Sequence, residues 1–156
     1  MNSSKSLGEQ FNSAKNHALK YLSFRPRTVK EIATKLKDKG FDTEVISAVI
    51  EFLMEYKLVD DDAFASMWIR NRTKLKPTGR QRIKNELFQK GIDKETIERN
   101  ISELLPEDEE RMAALLIEKK IRRAEFSYKR LEGFLLRRGF STGIVKRVLS
   151  SYSEEN

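Results

Sequence analysis

The chain has 156 residues, of which 35% are charged and only three are proline, and 31 Lys and Arg face 24 Asp and Glu for a formal net charge of +7. Such a composition suits helices and offers little to strands. Cysteine is absent and His17 is the one histidine, which excludes a disulfide framework, a thiolate metal site and a histidine-built zinc or iron centre, so no metal or cofactor is expected.

The first predicted element is an amphipathic helix from about Gln10 to Phe24, with Phe11, Ala14, Ala18 and Leu22 on its inward face and His17 as a partly exposed helix residue. Arg25-Pro26-Arg27 breaks it, because proline disfavours a helical residue before it. Thr28 and Glu31 form a capping box that restarts a helix. Asp42 is placed to cap a third helix that runs through Phe52, Leu53 and Tyr56. Asp60, Asp61 and Asp62 then stand at the entry of a helix carrying Phe64, Met67, Trp68 and Leu75, where acids favour the positive end of the dipole. Lys76-Pro77-Thr78-Gly79 ends that helix, and Thr78 with Gln81 offers a second capping box. Pro106 and the acids Glu107 to Glu110 open the last stretch.

A repeat underlies these elements. Leu36-Lys-Asp-Lys-Gly40, Leu87-Phe-Gln-Lys-Gly91 and Leu135-Leu-Arg-Arg-Gly139 share a leucine four residues before a glycine and a cation just before it, and the glycines fall 51 and 48 residues apart. Apolar residues recur eight before each glycine (Ile32, Ile83, Leu131) and six and ten after it (Ile46 and Ile50, Ile97 and Ile101, Val145 and Leu149). Each i, i+4 pair lies on one helix face, the glycine supplies a left-handed C-cap, and Asp42, Asp93 or Ser141 starts the next helix. The expected fold is therefore all-α: tandem repeats of three-helix units, about nine helices, in an elongated and curved array, with repeats over residues 1–58 (including a short flexible N-terminus), 59–105 and 106–156. No apolar run reaches the roughly 18 residues of a membrane span, and Met1 to Gln10 lacks the apolar core of a signal peptide, so a cytoplasmic protein is expected.

The positive charge is unevenly spread. Residues 70–90 carry eight Lys or Arg against Glu86, and residues 119–147 carry ten against Glu125 and Glu132. This asymmetry steers polyanions toward particular faces, although cations also serve simply to solvate helices. Phosphate contacts would make binding sequence-blind and steeply salt-dependent. Aromatics near cations, Trp68 with Arg70 or Phe126 and Tyr128 with Lys129, could stack on bases, with core packing as the competing role. A helix-turn-helix reading meets an obstacle in the helix after Asp42, whose apolar residues and Glu44, Glu51 and Glu55 suit a groove poorly.

Catalysis finds little support. Asp60, Asp61 and Asp62 could suggest a magnesium-dependent nuclease, but consecutive residues at a helix start point in different directions and no second acidic cluster partners them. There is no phosphate-binding glycine loop, no nucleophile with a recognisable base and no dinucleotide fingerprint. No catalytic residue is assigned.

The run from Tyr21 through Arg25-Pro26-Arg27-Thr28 and Glu31, the phrase Leu36 to Gly40, then Leu58-Val-Asp60-Asp61-Asp62-Ala-Phe64, Arg70-Asn-Arg72, and Gly79-Arg-Gln-Arg82 to Glu86-Leu87-Phe-Gln-Lys90-Gly91-Ile92, resembles the RecX family of bacterial recombination regulators. The specific match covers about Tyr21 to Ile101; the third repeat matches only as a repeat. The resemblance implies a regulator that lies along the RecA recombinase filament on single-stranded DNA and most often suppresses its ATPase, strand-exchange and co-protease activities in DNA repair and the SOS response. Binding of single- and double-stranded DNA without sequence preference, and a monomer, are also expected. The competing reading is an autonomous DNA-binding protein, transcriptional or architectural. The family offers no catalytic constellation, so the candidate partner- or DNA-binding residues are cations: Arg25, Arg27, Arg70, Arg72, Arg80, Arg82, Lys84, Arg122, Arg123, Arg130, Arg137, Arg138 and Arg147. Arg25, Arg27 and Arg70 have a structural alternative, pairing with Asp60 to Asp62.

Overall fold

The computed structural model describes residues 6–123 and 125–154, and the beginning of the expected short flexible N-terminus lies outside the described residues. The described residues form nine α-helices: α1 (Leu7–Leu22), α2 (Val29–Asp38), α3 (Thr43–Glu55), α4 (Asp61–Lys74), α5 (Arg80–Gln89), α6 (Lys94–Ile101), α7 (Pro106–Arg123), α8 (Tyr128–Arg137) and α9 (Thr142–Glu154). They fall into three triplets, as the repeat requires. Fold class and helix count agree with the sequence reading.

Three glycines impose the rhythm. Gly40, Gly91 and Gly139 stand at φ +90°, +87° and +95°, a left-handed conformation that costs a residue with a side chain about 1–2 kcal/mol. After α2 the chain closes as a Schellman motif, with Phe41 N–H donating to Leu36 O at 3.1 Å and Gly40 N–H to Lys37 O at 2.9 Å. The same pair of bonds follows α8, from Phe140 to Leu135 and from Gly139 to Leu136. The turn reverses the chain, and the leucine of each phrase points into the core: Leu36, Leu87 and Leu135 are fully buried, as are Ile32 and Ile83. Burying such a side chain contributes roughly 1.5–3 kcal/mol, so these positions hold each triplet together.

The chain divides into two compact units, residues 1–64 with 90–93, and residues 65–89 with 94–156. In the first, α1 packs on α2 and α3, and α2 on α3. Its core is Ala14, Ala18, Ile32, Leu36, Val45, Ile46, Val49, Leu53 and Val59, with Phe11, Leu22 and Ile50 partly buried against it. In the second, α5 packs on α6, and α7 and α8 pack on α9. Its buried apolar residues include Ile83, Leu87, Ile97, Ile101, Ala113, Ile117, Leu135, Val145 and Leu149.

Several local expectations need correction. Asp42 occupies the N-cap of α3, but its side chain makes no capping hydrogen bond. Leu75, expected within the helix that Asp60 to Asp62 open, lies one residue beyond the end of α4 and is 81% exposed. Thr78 does not cap α5: its hydroxyl donates to Lys76 O at 2.6 Å, and α5 begins at Arg80, one residue later than a Thr78 cap requires. The reason is a distant acceptor. Gly79 N–H donates to Arg138 O at 2.8 Å and Gln81 N–H to Gly139 O at 3.1 Å, so backbone carbonyls of the α8 turn satisfy the orphan donors that a side-chain cap would otherwise take. Any Cβ on Gly79 would collide with the Gly139 backbone, which makes glycine the residue the site requires.

Candidate partner-binding surface

The start of α2 is a hub of charge. Thr28 and Glu31 form the expected capping box, Thr28 Oγ1 donates to Lys90 O at 2.7 Å, and Val29 N–H donates to Asp61 Oδ1 at 2.9 Å. Glu31 collects cations: Arg25 at 2.5 Å, Arg27 at 3.9 Å and Lys90 at 3.9 Å. Burial pushes its carboxyl up, but the hydrogen bonds from Arg25 and the Thr28 N–H and the charges of Lys90 and Arg25 outweigh it, holding Glu31 below the usual carboxylate range. Asp61 goes the other way. Burial raises it, the neighbouring Asp93, Asp60 and Glu31 add to the rise, and the Val29 N–H opposes.

Asp60 Oδ1 accepts from Ala63 N–H at 3.1 Å and so caps α4. With Asp60 capping α4 and Asp61 capping α2, two of the three clustered acids are committed to helix starts. Arg25 and Arg27 turn to Glu31, whereas the sequence had offered Asp60 to Asp62 as their partners.

The second unit repeats this design at the start of α5. Glu109, in the first turn of α7, is only 3% exposed. Arg80 Nε donates to its Oε1 at 3.0 Å and Arg80 N–H to its Oε2 at 3.4 Å, and the same guanidinium donates to Ile101 O and Leu104 O at the end of α6. Asp61 and Glu109 both sit thirty residues before a repeat glycine and accept from the residue eleven before the previous one. The acid at that register position was the signal in the sequence for Glu109, which reads there only as one of four acids near a helix start.

The candidate cations separate by what they touch. Arg27 lies 3.6 Å above the Tyr21 ring and donates to Tyr21 O, and Arg72 lies 4.7 Å over Trp68 and pairs with Glu86 at 2.6 Å. Lys84 pairs with Glu98 at 2.7 Å, and Arg147 with Glu110 at 2.8 Å. Arg70, Arg82, Arg122, Arg123, Arg130 and Arg137 are exposed. Two of the thirteen, Arg123 and Arg138, are drawn into one cleft of the second unit. About 270 Å³ in volume, it is lined by Leu116, Lys119, Lys120, Arg123, Phe126, Phe134 and Arg138. Lys120 Nζ lies 3.9 Å from the Phe134 ring centroid and 5.5 Å from that of Phe126, and Arg138 lies 5.4 Å over Phe134. Arg130 and Arg137 line its neighbour, with Lys129. Cations held over aromatic faces suit a polyanion that also presents flat rings. Lys120 was absent from the sequence-based candidates; only the distance in chain between Lys120 and Phe134 hid it.

Comparison with known proteins decides the kinship. Residues 14–53 match the family model for the first three-helix domain of RecX and residues 60–99 that for the second. The chain belongs to the RecX family. The regulatory protein RecX of Finegoldia magna is 37% identical over 150 residues, covering 92% of this chain and 73% of the relative, and that of Mycolicibacterium smegmatis is 34% identical over 88% and 78%. The crystal structure of RecX from Lactobacillus salivarius superposes with a TM-score of 0.83 at 26% identity, covering 92% of this chain and 97% of that one. The RecX models cover the first two helix triplets, and the Lactobacillus structure extends the likeness over most of the chain.

Proposed function

We propose that this RecX-family protein binds the RecA recombinase filament on single-stranded DNA and lowers its ATPase, strand-exchange and co-protease activities. Family membership carries the reading, since its relatives bear the name of a regulatory protein. The exposed cations add to it. Arg70 and Arg82, and Arg122, Arg123, Arg130 and Arg137, project charge away from the core, where it can meet phosphates or acidic protein surface. Many modest contacts along a repeated partner add through effective concentration. No catalytic step is assigned, and action by binding in the cytoplasm, with no sequence preference on DNA, is part of the proposal.

The test is steady-state ATP hydrolysis by the cognate RecA on single-stranded DNA as the protein is titrated in. A fall in rate at concentrations that leave the DNA unbound by the protein alone is expected. An unchanged rate with tight, salt-sensitive DNA binding would move the assignment to an autonomous DNA-binding protein, a reading that the cation-lined aromatic cleft beside Phe134 favours.

A further inference from the structure

The glycine turn of the repeat is built three times and seated twice. Lys90 O, just before Gly91, accepts from Thr28 Oγ1, and a Cβ on Gly91 would collide with Lys30. Arg138 O, just before Gly139, accepts from Gly79 N–H, and a Cβ on Gly139 would collide with Arg82. Thr28, Gly79 and Ser127 each stand twelve residues before a repeat glycine, so the two seats are one position of the repeat. The third turn has the same shape, with φ +90° at Gly40, yet nothing lies within 4 Å of where a Cβ would be. The third seat, Ser127 at the start of α8, is exposed; its Oγ accepts from Arg130 N–H at 3.3 Å, leaving the hydroxyl proton to donate. Burial follows seating as well. Ile92 and Phe140, just after the seated glycines, are 1% and 2% exposed, whereas Phe41 is only partly buried.

Among the described residues, one chain therefore carries a turn without a seat and a seat without a turn. We propose that a second copy of this chain docks head to tail, the Gly40 turn of one molecule seating at Ser127 of the next, with Ser127 Oγ–H donating to Lys39 O. Such a contact is heterologous and does not close on itself by two-fold symmetry. Its electrostatics set a sign. The position of Glu31 in the first seat is Arg82 in the second and Arg130 in the third, so Lys39 would approach a cation. The second seat holds the Gly139 turn against Arg82 all the same, so a cation at that position weakens this docking without forbidding it. Added salt screens that repulsion and strengthens the association, opposite to its effect on polyanion binding.

Sedimentation equilibrium at low and high salt over rising protein concentration tests the idea. Concentration-dependent association that grows with salt is expected for the native chain, and its loss in Gly40→Asn, because asparagine tolerates the left-handed turn while its side chain fills the space that seating needs. Circular dichroism checks that the variant is folded. Since the chain has no cysteine, a second readout mixes a Lys39→Cys preparation with an Arg130→Cys preparation and a short bismaleimide. Preferential 39-to-130 products support the proposal. A chain that stays monomeric at both salts, association unaffected by Gly40→Asn, or crosslinks without that preference would overturn it.

Discussion

Arg80 and Glu109 pair at Nε to Oε1 3.0 Å, with Glu109 only 3% exposed and the guanidinium also donating to Ile101 O at the end of α6 and to Leu104 O just beyond it. Removing one partner strands a buried charge. Arg80→Ala is expected to destabilise the second unit by about 3 kcal/mol, with little relief from salt because the pair is shielded. Urea unfolding at two ionic strengths measures it. A loss under half a kcal/mol would show the pair to be solvated instead.

The glycines permit a graded experiment. Gly40→Ala adds only the conformational cost of a left-handed residue, about 1 to 2 kcal/mol, since open space surrounds it. Gly139→Ala adds a collision with the Arg82 backbone to that cost, and should lose a further 1 to 3 kcal/mol. Unfolding free energies of the two variants side by side separate conformation from packing; equal losses would contradict the close approach.

How much of this was legible in the sequence follows from distance along the chain. The capping box of Thr28 and Glu31, the C-cap glycines and the buried faces of Ile32, Leu36, Ile83 and Leu87 all depend on neighbours within a few residues, and the sequence displays them. Thr78 was misplaced as a cap because the acceptors for α5 come from Arg138 and Gly139, some sixty residues away. Among the cations, nothing local separates Arg80, which reaches Glu109, from exposed Arg82 two residues on. Composition could locate the basic stretches but not divide them into structural and exposed members.

Phe64 is 3% exposed in the first unit, with Lys90 Nζ 5.7 Å from its ring centroid. Phe64→Ala is expected to cost roughly 3 to 5 kcal/mol by opening a cavity. An unfolding midpoint unchanged within error would remove Phe64 from the core.

Glu31 and Asp61 should oppose each other in acid. Glu31, lowered in the folded state, contributes stability that is present above its unfolded pKa and is lost as pH falls through the folded value. Asp61, raised, contributes stability present below its unfolded pKa and lost as pH rises through the folded one, so its ionised form is a cost at neutral pH. Asp61→Asn retains an oxygen for the Val29 N–H and removes the charge. Its stability at neutral pH should equal or exceed that of the native chain, and the difference should vanish below the carboxylate range, where Asp61 is protonated. Glu31→Gln should lose stability at neutral pH and converge with the native chain in acid. Urea midpoints across pH 3 to 7 test both signs.

The division of the cations predicts a division of phenotypes. Arg27, Arg72 and Arg80 each hold an aromatic ring, a carboxylate or a backbone carbonyl, so their replacement by glutamine should lower the unfolding midpoint. Arg122, Arg123, Arg130 and Arg137 are exposed and should tolerate the same replacement within about half a kcal/mol. If the exposed set meets phosphates of single-stranded DNA, each glutamine should flatten the log-log salt dependence of binding by about 0.7. A contact to acidic RecA surface would weaken suppression of its ATPase while leaving DNA binding by the protein alone unaltered. Loss of suppression only in those variants that also unfold early would show that the exposed cations do not touch the partner.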